Sequence, residues 1–159
     1  MAWQTRVLVI ANVTANSPEL VAALRTRAES GPIVPTLLMP ATRNGFAGKE
    51  EAGERLEAAL AQWRDAGLEA SGIVGDPDPV VAMHETWDPR SYDEVIVSTL
   101  PGQSSKWLQF DLPHRVRQIT GLDVTHVEAG RKNEPHYGPP PEKRAGALGP
   151  LTLRAPKRR

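Results

Sequence analysis

DEVIVSTLPGQSSKWLQFDL, residues 93 to 112, passes from an apolar run through Ser98 and Thr99 into a Pro101-Gly102 turn, a Ser104-Ser105 pair and a helical segment around Trp107 and Leu108. Strand, turn and helix in that order make half of a β-α-β unit. The turn after such a strand is a common anion site, because the N–H groups of the turn and the first helical residues are unpaired and the helix dipole favours negative charge. Gly102, Ser104, Ser105 and Lys106 offer backbone donors, hydroxyls and one positive charge. The same residues also read as a type II turn with Ser104 capping a helix.

Working toward the N-terminus, Arg6 to Asn12 is a short continuous apolar run, the pattern of a strand buried on both faces. Ser17-Pro18-Glu19 is an N-cap with proline in the first turn, and Leu20, Val21, Leu24 and Ala28 follow at helical spacing, which predicts a helix over 18 to 29. A second strand is expected over 33 to 39, interrupted by Pro35 and closed by Pro40, then a mobile loop over 41 to 48. From Lys49, the spacing of Ala52, Leu56, Ala59, Leu60 and Trp63 predicts a second helix that ends near Gly67. Residues 68 to 74 form the third expected strand. It stops at Gly75-Asp76-Pro77, where Asp76 can cap and Pro77 or Pro79 can open a third helix. After the fourth strand, 92 to 99, the helical signal at Trp107 restarts at Pro113 and ends at Gly121, and 122 to 127 is the fifth strand.

Five strands alternating with four helices predict an α/β fold, a parallel doubly wound sheet with right-handed crossovers and helices on both faces. Ligands in such sheets collect outside the carboxyl ends of the strands. The candidate site is therefore the set of loops at 12 to 14, 40 to 42, 75 to 77 and 98 to 105.

The chain has 159 residues, of which 40% are hydrophobic, enough for one core. Residues 1 to 129 form the expected domain and hold 11 Lys/Arg and 17 Asp/Glu, a net charge of −6; residues 130 to 159 hold 8 and 2, a net of +6. This basic stretch contains six prolines, which predicts an extended or disordered tail. Absence of cysteine excludes disulfides and thiolate chemistry. No apolar run approaches membrane-spanning length, and with no leader pattern the expectation is a soluble cytoplasmic protein without a membrane span.

Three stretches resemble the universal stress protein family: RVLVIANVTANSPEL in the place of its first strand and loop, IVGDPDPVVAM in that of its third strand and turn, and residues 93 to 127 over its last β-α-β unit. The resemblance covers about residues 5 to 128 and implies the strand order 3-2-1-4-5. It implies a regulatory or binding module in a stress or signalling response, not an enzyme. Members that bind ATP share a Gly-x2-Gly-x9-Gly-Ser/Thr pattern after the fourth strand. Laid on this chain, its four positions fall on Ser98, Pro101, Asp111 and Leu112, so all three glycines and the hydroxyl are replaced. Asn12 stands where nucleotide-binding members often carry an acidic residue and could hydrogen-bond a ribose, whereas Gly75 and Asp76 match well. A carboxylate a few ångströms from a triphosphate costs about a kcal/mol or more. Asp111 would thus oppose ATP and could itself fill the phosphate's place at the helix restarting at Pro113.

The expected function is accordingly a non-catalytic regulatory module with a degenerate or lost ATP site and no required cofactor. Its candidate ligand residues are Asn12, Gly75, Asp76, Ser98, Gly102, Ser104 and Ser105. One alternative is a working adenine-nucleotide binder, at most a slow ATPase; another is an interaction domain serving a transporter or other partner. A flavodoxin-like fold would use the same loops for a flavin phosphate. Catalytic and metal motifs are missing: His84, His114, His126 and His136 have no ligand spacing, and the serine turn lacks Gly-x-Ser-x-Gly. Trp3, Trp63, Trp87 and Trp107 are too scattered to make a base-stacking surface, which argues against nucleic acid. The fifth strand would leave an apolar edge, so a homodimer through residues Leu122 to Val127 is expected, and the tail is the candidate surface for a protein partner.

Overall fold

The computed structural model describes residues 3 to 102 and 105 to 130. Five parallel strands form one sheet in the order β3-β2-β1-β4-β5, as expected. The strands are β1 (Thr5–Ile10), β2 (Ile33–Pro40), β3 (Ser71–Gly75), β4 (Glu94–Thr99) and β5 (Val124–Glu128). The connecting helices are α1 (Pro18–Glu29), α2 (Gly45–Asp65), α3 (Pro79–Thr86) and, in the last crossover, α4 (Lys106–Gln109) followed by α5 (Leu112–Thr120). The four expected helices become five because the crossover breaks at Phe110-Asp111, just ahead of Pro113.

The continuous apolar runs are explained by two cores. Val7 and Val9 of β1 pack with Leu20 and Leu24 of α1 and with Leu56, Leu60 and Trp63 of α2, while Leu8 and Ile10 face the other way into Met83 of α3 and Leu112 and Val116 of α5. Alternate residues of a strand point to opposite faces, so a strand covered on both sides must be apolar at every position. Pro35 sits inside β2 without breaking a ladder bond. The Thr5 N–H donates to the Pro32 carbonyl at 2.9 Å and Ala11 N–H to the Leu38 carbonyl at 3.2 Å, which puts even-numbered β2 residues on the β1 side. The missing N–H of Pro35 therefore points toward β3, whose pairing with β2 begins only at Thr36.

Some boundaries differ from the sequence reading. Helix α2 begins at Gly45 rather than Lys49, so the expected loop over 41 to 48 shrinks to a few residues. Its first turn carries exposed Phe46 and so has no apolar periodicity to announce it. Gly48 lets this turn approach the Thr42 carbonyl, which a Cβ would strike. β3 starts at Ser71, not Leu68, because Leu68 is buried in closing α2. β5 is displaced by two residues at its start and lies at the sheet edge. Asp78, not Asp76, caps α3, accepting from the Val80 N–H at 2.9 Å; Asp76 accepts instead from the Asp78 N–H at 2.8 Å. The basic tail lies outside the described residues, apart from Gly130.

Candidate ligand-binding site

A cavity of about 290 Å³ opens at the carboxyl ends of β1 and β4, the two strands between which the chain reverses its order across the sheet. The loop after β1 contributes Asn12, Val13 and Thr14; the end of β4 contributes Ser98, Thr99 and Leu100; the start of α4 contributes Ser105, Lys106 and Trp107. The parallel register sets this meeting, since Ile10 lies opposite Val97 and the next residues of both strands run out side by side.

The polar groups of the cavity are mainly hydroxyls. Thr14 Oγ1 and Ser98 Oγ lie 2.7 Å apart, with the two residues 3% and 1% exposed. Ser105 caps α4, its Oγ accepting from the Leu108 N–H at 3.2 Å. This corrects the expectation that Ser104 is the cap: the helix starts at Lys106, which makes Ser105 the residue preceding it. Thr99 Oγ1 lies 2.8 Å from His126 Nε2 of β5, a contact between residues 27 apart that no local pattern signals.

Asn12 lines the cavity, but its amide is already engaged. Nδ2 donates to the Pro40 carbonyl at 2.9 Å and Oδ1 accepts from Arg55 Nη1 at 2.5 Å, which ties the ends of β1 and β2 to α2. Trp63 of the same helix, fully buried, donates its indole N–H to the Ala15 carbonyl at 2.9 Å and so fixes the other end of the β1-α1 loop.

Of the sequence candidates, the fold brings Asn12, Ser98 and Ser105 together in this cavity. Gly75 and Asp76 are not in its lining. A Cβ on Gly75 would come within 2.9 Å of both Ala82 Cβ and Leu38 Cδ1, so this glycine serves the packing of α3 on the sheet. Gly102 adopts φ 35°, with open space where a Cβ would stand, and Ser104 lies outside the described residues. Asp111 does not behave as expected. It holds a left-handed backbone, φ 57° and ψ 52°, as the residue before α5, makes no capping hydrogen bond with its side chain, and lines an outer groove with His84, Phe110, His114 and Arg115. The carboxylate therefore does not occupy a phosphate's place at the helix end. Leu112, at the pattern's last position, is fully buried against Val116 and Met83. Among the described residues, no group of three or more His, Cys, Asp or Glu is placed to hold a metal, and no helix is long and apolar enough to cross a membrane.

Comparison with solved structures finds universal stress proteins. A structure of the universal stress protein from Archaeoglobus fulgidus has a TM-score of 0.55 at 15% identity, covering 79% of this chain and 99% of that one. The Archaeoglobus fulgidus protein in complex with dAMP gives 0.54 at 16%, covering 80% and 100%. A universal stress protein in complex with cAMP gives 0.52 at 21%, covering 82% and 100%. No family model and no curated protein matches the chain. Identities this low speak for architecture alone: the chain has the fold of the universal stress proteins.

Proposed function

We propose that this domain is a non-catalytic regulatory module that takes a small ligand in the cavity between the β1 and β4 loops and lacks the triphosphate cradle implied by the resemblance to ATP-binding universal stress proteins. The observation that carries this reading is the disposition of Asp111 and Leu112. The residues at the last two positions of the phosphate-binding pattern are turned to an outer groove and into the core, and neither lines the cavity. Pro101 further removes one backbone donor from the turn. Calorimetric titration of nucleotide-stripped protein with ATP and ADP, with and without Mg²⁺, tests it: no heat up to millimolar nucleotide is expected.

The second reading, a working adenine-nucleotide binder, draws on the dAMP and cAMP complexes of proteins with this fold and on the cavity at the sheet's switch point. It requires micromolar binding that Ser98→Ala weakens. We also propose a homodimer through residues 122 to 127, supported by the edge position of β5, and a cytoplasmic setting. Sedimentation of a His126→Pro variant tests the dimer: Ala129 N–H donates to the Thr99 carbonyl, so odd-numbered β5 residues face β4 and the His126 N–H lies on the outer edge, where proline removes a donor.

A further inference from the structure

We propose that the mouth of the cavity is the docking site of this chain's own carboxyl-terminal segment, residues 131 to 141, RKNEPHYGPPP, laid across it as a strap. The first support is the place where the described chain ends. The Ala129 N–H donates to the Thr99 carbonyl at 2.8 Å, and Gly130 sits beside Pro101, whose Cδ would stand 3.7 Å from a Cβ on that glycine. Thr99 and Leu100 line the cavity, so the chain leaves β5 at its rim. Residues 131 to 159 follow from that point. The end of β5 is two strand spacings from the loop after β1, about 10 Å, and the stretch from Gly130 to Tyr137 spans roughly 20 Å when extended. Reach is therefore ample.

The second support is the chemistry of the mouth and of the segment. Val13 is 55% exposed and Leu100 37% exposed at the opening, beside the half-buried Trp107. Covering these side chains removes apolar surface from water. Tyr137 and prolines 139 to 141 are the apolar part of the segment, and proline-rich segments dock on aromatic-lined surfaces at low entropic cost because φ is already fixed. Charge points the same way, since residues 1 to 129 carry a net −6 and residues 130 to 159 a net +6. One carboxylate at this end of the sheet also lacks a partner. Glu19 stands in the first turn of α1, which starts at the carboxyl end of the sheet and packs against β5; its Oε1 is buried with no hydrogen-bond partner among the described residues. A buried carboxylate oxygen calls for a donor. Arg131 and Lys132, the first residues beyond Gly130, are the donors that the strap brings to it.

A docked strap competes with any molecule that enters the cavity, at the high effective concentration of a tethered group. That consequence rests on the functional reading above; the docking itself does not. Limited trypsin digestion of the full chain, with the cut sites read by mass spectrometry, tests the docking. Cleavage after Arg131 and Lys132 is expected to be about tenfold slower than after Arg154 and Lys157, which lie beyond the docked segment, because a strap docked about nine-tenths of the time is open to protease for the remainder. Val13→Lys, at an exposed position of the rim, and Tyr137→Ser are each expected to abolish that protection while leaving the melting temperature and the rates at Arg154 and Lys157 unchanged. Glu19→Gln is expected to lower the protection about threefold at low salt and less at high salt. Equal cleavage at all four sites overturns the docking. Protection that survives both Val13→Lys and Tyr137→Ser overturns it too, as simple shielding by the folded body, and protection that grows with protein concentration assigns the mouth to a second copy. The digestion reads the strap alone, and the ATP titration reads the functional proposal alone.

Discussion

The two ends of the sheet are built from different chemistry. At the amino ends of β1 and β4, charges meet and neutralise one another: Arg6 grips Asp93 through its side chain and backbone N–H at 2.9 to 3.1 Å, and Arg27, in the last turn of α1, holds Glu94 at 2.7 Å. These bonds hold the Asp93 carboxyl below the usual carboxylate range and raise the Arg6 and Arg27 guanidinium groups. At the carboxyl ends of the same strands the described cavity lining carries hydroxyls, apolar side chains and one lysine. One end is closed by its own charged side chains, and the other is lined by hydroxyls and apolar groups around an opening. The difference locates the clamp that orders the strands and the opening that can receive something else.

Trp63→Ala attacks the open end at its support. The indole fills the core between α2 and the sheet and holds the Ala15 carbonyl, so the variant is expected to lose about 3–5 kcal/mol in urea unfolding and to lose ligand binding with it. Leu112→Ser asks whether the pattern's hydroxyl alone can make the open end bind phosphate. Because Leu112 is fully buried, the expected outcome is a loss of about 2–5 kcal/mol with no gain in ATP heat; a gain would show that the phosphate site is one side chain away. Asp111→Gly relieves a left-handed backbone and is expected to raise stability by about 0.5–1 kcal/mol, read as a higher denaturation midpoint.

The smallest effect belongs to the clamp. Asp93 has a folded pKa below its unfolded value, so its contribution to stability is present above the unfolded carboxylate pKa of about 4 and is lost as pH falls through the folded one. Denaturation midpoints of the wild type and Asp93→Asn should therefore differ at pH 6 and converge as the pH drops below that value. A gap that stays constant would mean that Asp93 acts by shape and not by charge.

Much of the fold was legible because it is written in short-range signals. Ser17-Pro18 marked the start of α1 at the residue where it begins, and Leu20 and Leu24 showed its inner face. Where a boundary was missed, the local signal was missing or duplicated. Phe46 gave no periodicity to the start of α2, and Asp76 was read as the cap of α3 although Asp78, two residues on and of the same type, holds that place. The site was legible in part: Asn12, Ser98 and Ser105 were marked by their place after strands, and Gly75 was marked by the same logic but turned out to pack against Ala82 and Leu38. A glycine signals that a Cβ has no room or the backbone an unusual turn. It does not say what stands opposite.

From sequence alone, the alternation of apolar runs, turns and helical spacing determined a parallel α/β sheet, because burial on both faces demands continuous apolar strands and crossovers keep one hand, while the strand order came from the family resemblance. Tertiary structure alone decided the character of the cavity. Thr14 and Ser98 are 84 residues apart, and Asn12 and Arg55 are 43 apart. Their contacts follow from strand register and helix docking, which place side chains to within an ångström, whereas periodicity in a sequence fixes only which face they occupy.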